Sequence, residues 1–225
     1  MVETVNLEEL VYRTGLYLPI EVDRYVGLPE NTTARWGSPL DQTQPIVTRL
    51  NRPRRSPSIP FVGIAEATML KAFRKTGLSM QRIRPAVQAL RQKLNDDHAL
   101  LSERLYTDGA EILYEYAEHA DGEAMKLVVA RNGQTVMTEV IESYLQRISF
   151  FDECRTPKEI DLTLRYGGVH VSVNPQVNGG VPTLKNSGLA VGTLMGFLEA
   201  GETYASVAAE YGLDPGLVEQ LAMCA

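Results

Sequence analysis

With 225 residues, 44% of them apolar and 22% charged, the chain is sized for one or two globular domains, which argues against a disordered protein, a collagen-like fibre or a membrane bundle. The net charge of −6 conceals a division: Arg13 to Asn95 carries fourteen Lys/Arg against five Asp/Glu, the remainder eight against twenty-three. That split suits a polyanion at one end and a different partner at the other, and no Lys or Arg follows Lys185. The longest charge-free apolar stretch, Asn186 to Leu198, is too short to span a bilayer, so no membrane association is expected. Glu3, Glu8 and Glu9 stand where an export signal would be basic, and Cys154 and Cys224 cannot build a disulfide framework; a reducing cytoplasm is expected.

In chain order, Ile20, Val22, Tyr25 and Val26 give one apolar face to a short helix opening near Pro19, and Gly27 supplies the turn after it. A second short helix is predicted from about Pro29 to Trp36. Two short helices across a glycine turn form a helix-turn-helix pattern, whose second helix enters a major groove. Ile46 to Leu50 has strand composition, and residues 51–57 read as an exposed loop. Arg49, Arg52, Arg54 and Arg55 place four guanidinium groups within seven residues, suited to phosphate or minor-groove contacts; a solvated linker is the other reading.

The run Leu18…Val22…Tyr25-Val26-Gly27-Leu28-Pro29…Thr32-Thr33…Arg35-Trp36 resembles the N-terminal winged helix-turn-helix of MerR-type regulators and excisionases. Further on, Ile64, Ala67, Met69, Leu70 and Phe73 line one face of a helix over residues 63–76, and Ser79 is placed to cap another, reaching Leu94 and containing Pro85. Residues 74–84 also look like the third and fourth helices of a MerR-type domain. The resemblance implies DNA binding, with Thr32, Thr33 and Arg35 facing base edges and Arg49, Arg52, Arg54 and Arg55 on phosphates or in the minor groove.

Beyond Leu105 strands are expected at 111–116, 126–130 and 134–136, with Asn132-Gly133 as a hairpin turn, then a helix from Thr138 to Ile148. Further strands are expected at Ile160–Tyr166 and Val169–Val173, joined through Gly167-Gly168. The C-terminal sequence has helix-turn-helix spacing: Thr203 caps a helix to Tyr211, Gly212 turns the chain, and Asp214-Pro215 opens another helix. Its second helix offers Asp214 and Glu219 and no cation, so it is read as a protein-binding or dimerising unit rather than a DNA reader. Val191, Leu194, Met195, Phe197 and Leu198 are its candidate stripe, either for a partner or for the tail's own core.

Four stretches in order are similar to a small domain-of-unknown-function family common in VapB-type antitoxins: Val171–Pro175, Gly179–Leu184, Leu198–Glu202 and Ala208–Leu213. The chain departs from it at Asn186-Ser187-Gly188, where the family usually carries a Gly-Thr-Arg turn. The resemblance implies an antitoxin that binds operator DNA as a homodimer and neutralises a VapC-type PIN-domain ribonuclease. A stand-alone regulator with an effector-binding middle region, and an interaction protein without DNA affinity, are the alternatives.

No catalytic or cofactor signature is found. His98, His119 and His170 lack metal-ligand spacing and read as surface or turn residues; Asp152, Glu153, Glu159 and Asp161 read as a solvated acidic surface. Neither an enzyme nor a cofactor nor a metal is expected. The expected architecture is α+β: a winged helix-turn-helix with helical extension over residues 1–100, then a strand-rich middle and a small helical module over 101–225.

Overall fold

A computed structural model describes residues 6–40, 44–102, 142–151 and 156–224. After a π-helical turn, Glu9–Arg13, come α1 (Pro19–Val26), α2 (Thr32–Trp36), α3 (Phe61–Lys75) and α4 (Met80–Leu94), closed by a 3-10 turn at Ala99–Leu101. An antiparallel meander follows in the order β1 (Ile148–Phe150), β2 (Pro157–Asp161), β3 (Val171–Val173) and β4 (Thr183–Leu184). Three helices end the chain: α5 (Val191–Glu199), α6 (Tyr204–Tyr211) and α7 (Pro215–Cys224). The strands predicted at 111–116, 126–130 and 134–136 lie outside the described residues.

The helix-turn-helix forms as its sequence dictates. Pro19 sits in the first turn of α1, where its missing N–H costs nothing, and Glu21 accepts a hydrogen bond from the Leu18 N–H at 2.7 Å. Gly27 ends α1 with φ of 73°, a left-handed turn that glycine takes without strain. The predicted second helix is shorter than expected, starting at Thr32 because Asn31 is left-handed.

The predicted strand at Ile46–Leu50 is absent. Ile46 and Val47 are buried, but both of their N–H groups bond the Trp36 carbonyl, so the segment seals α2 instead of pairing edge to edge. Only the Leu50 N–H reaches across, to Ser58 O at 2.8 Å, and Tyr17 and Ile59 form an isolated antiparallel bridge beside it. Residues 51–57 are therefore a wing with a minimal stem.

Helix α3 is the hub. Of Phe61 to Phe73 all but Lys71 are buried, where the periodicity predicts one apolar face. Elements pack on every side of it, β2 included, so one core runs from the N-terminal helices into the sheet. Completely burying Ile64, Met69, Leu70 and Phe73 contributes roughly 1.5–3 kcal/mol each. Glu66 is fully buried on this helix: it accepts from Thr48 N–H at 2.6 Å, faces His98 Nδ1 at 2.9 Å and lies 3.9 Å from an Arg91 nitrogen. His98 thus lies in a turn but not free on the surface; it is held half-buried by a carboxylate that needs it. Ser79 occupies the start of α4, but its hydroxyl makes no capping bond, and α4 runs through Pro85 unbroken.

In the second half, Ile148 begins β1 instead of ending a helix, and the described helical residues before it are 142–145. The strand expected over Ile160–Tyr166 stops at Asp161, because residues 163–168 turn tightly through Gly167 and Gly168, with φ of 65° and 104°. At the C-terminus Thr203 Oγ1 accepts from Ser206 N–H at 3.1 Å, Gly212 is left-handed, and Pro215 opens α7, as expected. The two halves meet where the Tyr17 hydroxyl donates to Gly180 O at 2.9 Å. A Cβ at Gly180 would lie 2.4 Å from that hydroxyl, so only glycine permits the contact.

Burial by itself lowers the His98 pKa, but the hydrogen bond and charge of Glu66, aided by Asp96, outweigh it and hold the imidazole above its usual value. The stabilisation is therefore complete below about pH 6.5 and disappears as pH rises through the higher folded-state value. Thermal unfolding followed from pH 5.5 to 8.5 should show the wild type losing stability relative to His98→Gln; parallel curves would contradict the pairing.

Candidate nucleic-acid interface

The recognition helix α2 is held at both ends. Asp23 on α1, 1% exposed, accepts from both the Thr33 N–H, at 2.8 Å, and the Thr33 hydroxyl, at 2.6 Å, with the same oxygen. At the other end, an Arg84 nitrogen on α4 donates to the Arg35 carbonyl at 2.9 Å, capping one of the helix's orphan carbonyls. Thr33 therefore does not face a base. It is fully buried and latches α2 onto α1, because an aspartate taken out of water must find donors and the nearest are on this threonine. Thr32 is also buried, 6% exposed, and offers at most an edge to the surface.

Beneath α2 lies an open cleft of about 1070 Å³. Among the described residues its lining includes Arg35, Arg49, Lys71, Arg74, Lys75 and Arg84, and no carboxylate. Arg35 and Arg49 are exposed; Arg49 lies across Gly37, its Cβ and Cδ 3.2 Å from where a glycine Cβ would stand. Arg84 is 8% exposed and one of its terminal nitrogens has no partner; desolvation lowers its pKa. A buried guanidinium with an unfilled donor on the wall of a cationic cleft fits an anionic ligand.

Thr32, Arg35 and Arg49 are thus gathered on one cleft. Arg52, Arg54 and Arg55 stand apart from it, all exposed on the wing, with Arg55 in a left-handed conformation. Among the described residues no carboxylate pairs with Arg49, Arg52, Arg54 or Arg55. Sequence reasoning does not single out the four cations Lys71, Arg74, Lys75 and Arg84. Their signal is present, since all four belong to the basic region, but helical spacing alone does not say that α3 and α4 turn these positions toward α2.

Lys185 bonds Glu159 at 2.8 Å and lies 3.6 Å from Asp161, so two members of the acidic group are ion-paired; Asp152 and Glu153 lie outside the described residues. Of the C-terminal stripe, Val191 and Leu194 belong to the core, Met195 and Leu198 are half-buried, and Phe197 is exposed.

The geometry describes a helix-turn-helix domain with a cationic reading face, joined to a sheet and an acidic helical end. Comparisons agree with that class. Residues 15–87 match a family described as "Putative DNA-binding HTH domain", and residues 171–222 match one described as "Protein of unknown function (DUF433)". The chain is 40% identical over 223 residues to "Putative antitoxin VapB45" of Mycobacterium tuberculosis H37Rv, covering 92% of each, and it belongs to that antitoxin family. It is 24% identical over 204 residues to the uncharacterized protein Rv2308 of the same organism, covering 88% of this chain and 84% of that one. The crystal structure of Rv2018 from Mycobacterium tuberculosis superposes with a TM-score of 0.73 at 37% identity, over 96% of this chain and all of that one.

The latch has a measurable worth. Thr33→Val keeps the shape and the N–H but removes the hydroxyl donor from a buried aspartate, and should cost about 1–3 kcal/mol in urea unfolding. A cost below a few tenths would mean that Asp23 is held by something else.

Proposed function

We propose that the chain is an antitoxin of a type II toxin–antitoxin pair that binds operator DNA and neutralises a VapC-type PIN-domain ribonuclease. The observation that carries the DNA half is the cleft under α2, whose lining among the described residues holds six cations and no carboxylate. In this reading Arg35 reaches base edges, Arg49 and the cleft cations hold phosphates, and Arg52, Arg54 and Arg55 on the wing grip the flanking backbone or minor groove. Thr32 stays at the edge of the contact. The chain acts as a homodimer in the cytoplasm, two helix-turn-helix units reading two half-sites, and performs no catalysis itself.

The toxin-binding half falls to the C-terminal helices. Met195, Leu198 and Tyr204 line a depression of about 760 Å³ with Glu199 and Glu202, and Phe197 packs at 5.8 Å against Tyr211 beside them. Exposed apolar surface ringed by acids suits a basic protein face. The nearest cation in sequence, Lys185, is committed to Glu159 and Asp161, so insertion of a lysine from this region into the nuclease's metal site is disfavoured and steric neutralisation fits better. Among the described residues no helix is long and apolar enough to cross a membrane. A stand-alone regulator whose middle region binds an effector is the second reading, favoured by a second cationic pocket beside Tyr144.

Two measurements test the reading. Replacing Arg52, Arg54 and Arg55 together by Ala should weaken binding to operator and scrambled DNA alike and flatten the salt dependence by roughly 0.9 for each phosphate that is no longer neutralised; unchanged binding removes the wing from the interface. Met195→Glu with Leu198→Glu should abolish co-purification with a VapC-type ribonuclease encoded beside the chain while leaving DNA binding in place. Retained co-purification moves the toxin face elsewhere.

A further inference from the structure

On the far side of Gly27 from the cleft lies a smaller pocket of about 360 Å³, within the range of small-ligand sites. Four cations line it, Lys71 and Lys75 from α3, Arg147 just before β1 and Arg165 in the turn after β2. Their existing partners are neutral. Lys71 Nζ donates to the Val26 carbonyl at 2.6 Å, Arg165 donates to the carbonyls of Arg24, at 3.2 Å, and of Cys224, and Arg147 and Lys75 lie over the Tyr144 ring at 4.3 and 5.4 Å. The one acid in the lining, Asp161, already accepts from the Thr163 N–H at 2.7 Å and faces Lys185 at 3.6 Å. Among the described residues, then, four positive groups converge without a carboxylate of their own.

Tyr144 supplies an independent observation. It is 3% exposed, lines the same pocket, and its hydroxyl has no hydrogen-bond partner among the described residues. A buried phenol pays for desolvation unless something accepts or donates there, and an orphan hydroxyl among cations is complementary to an oxyanion. Gly27 keeps the space open: a Cβ there would lie 3.0 Å from Arg165 Cδ and 3.1 Å from Lys71 Nζ. The crowding has an electrostatic cost as well, since burial and then Lys75, Arg165 and Arg147 lower the pKa of Lys71.

We propose that Lys71, Lys75, Tyr144, Arg147 and Arg165 form a binding site for a phosphate-type dianion, separate from the base-reading surface. Arginine and lysine donors converge on its oxygens, and the Tyr144 hydroxyl completes the set. Two sources present this chemistry: a backbone phosphate of DNA continuing past the cleft, or a free phosphorylated small molecule. Lys71, Lys75 and Gly27 border both cavities, so an occupant here would act on the walls of the cleft. The proposal does not depend on the antitoxin reading.

The test uses the full chain and inorganic pyrophosphate as probe, titrated calorimetrically at constant ionic strength against wild type, Arg147→Gln and Tyr144→Phe, with urea unfolding to establish that each variant is folded. Arg147 and Tyr144 line this pocket and not the cleft. The expected result is saturable binding, weakened on the order of tenfold by Arg147→Gln and about threefold by Tyr144→Phe. Tyr144→Phe removes an unpartnered polar group, so a purely structural tyrosine would leave affinity untouched and stability equal or higher. The two variants are then measured on duplex DNA. DNA affinity that falls in step, with pyrophosphate competing, assigns the site to a backbone phosphate; unaltered DNA affinity assigns it to a free phosphorylated ligand. Pyrophosphate binding that is absent, or equal in all three proteins, overturns the proposal.

Discussion

A fully buried carboxylate fixes this fold. Glu66 sits in the middle of a helix with no access to water, so every bond it lacks would be felt as several kcal/mol of uncompensated charge. Its partners come from three places far apart in sequence: Thr48 before the wing, Arg91 on α4, and His98 at the 3-10 turn. Satisfying one side chain thus positions the wing, the fourth helix and the end of the helical extension around α3. Arg91 is itself tied to the Pro45 carbonyl at 2.6 Å, which draws the segment after α2 into the same arrangement. The apolar core supplies most of the free energy, but it would tolerate slippage that this polar node does not.

Much of the fold is legible because local chemistry and tertiary structure agree at the relevant residues. Pro19, Gly27, Thr203, Gly212 and Pro215 each force or favour one backbone event, and each event occurs. The sequence misleads where a partner far along the chain decides the outcome. Ile46–Leu50 has the residues of a strand, yet its N–H groups find the Trp36 carbonyl before they find another strand. Ile160–Tyr166 has strand composition, but two left-handed glycines beyond it close a turn that consumes its second half. His98 reads as a surface or turn residue, and it does lie in a turn, but nothing near it in sequence announces Glu66, thirty-two positions earlier.

The site shows the same division more sharply. Charge is readable as a sum: the basic region is where the cationic cleft forms. Orientation is not. Thr32 and Thr33 occupy the positions a base reader would use, but α1 carries Asp23, and a buried aspartate claims the hydroxyl that would otherwise face DNA. Arg84 is a similar case in reverse, a residue that nothing in its own helix singles out and that caps another. Residues that hold α2 in place and residues exposed on it are neighbours in sequence, and only the folded contacts separate them.

Charge segregation then explains how two halves of opposite charge can share one core. Within α3, the same fifteen residues carry the buried Glu66, the apolar hub and, at the C-terminal end, Lys71, Arg74 and Lys75 on the surface. Cations in the last turns of a helix are favoured by its dipole, which offsets part of their mutual repulsion and lets them gather without acids between them. The second half solves the opposite problem: its Glu159 and Asp161 are paired internally with Lys185, and Glu199, Glu202, Glu210, Asp214 and Glu219 follow in the terminal helical unit with no Lys or Arg among them. Arg165 is the point at which the halves trade charge, reaching from the sheet to the Arg24 carbonyl at the end of α1. Anything anionic bound along that seam would contact both halves at once. Among the described residues one continuous core joins the helix-turn-helix to the sheet and the C-terminal unit, so the two halves are packed as one body along that seam.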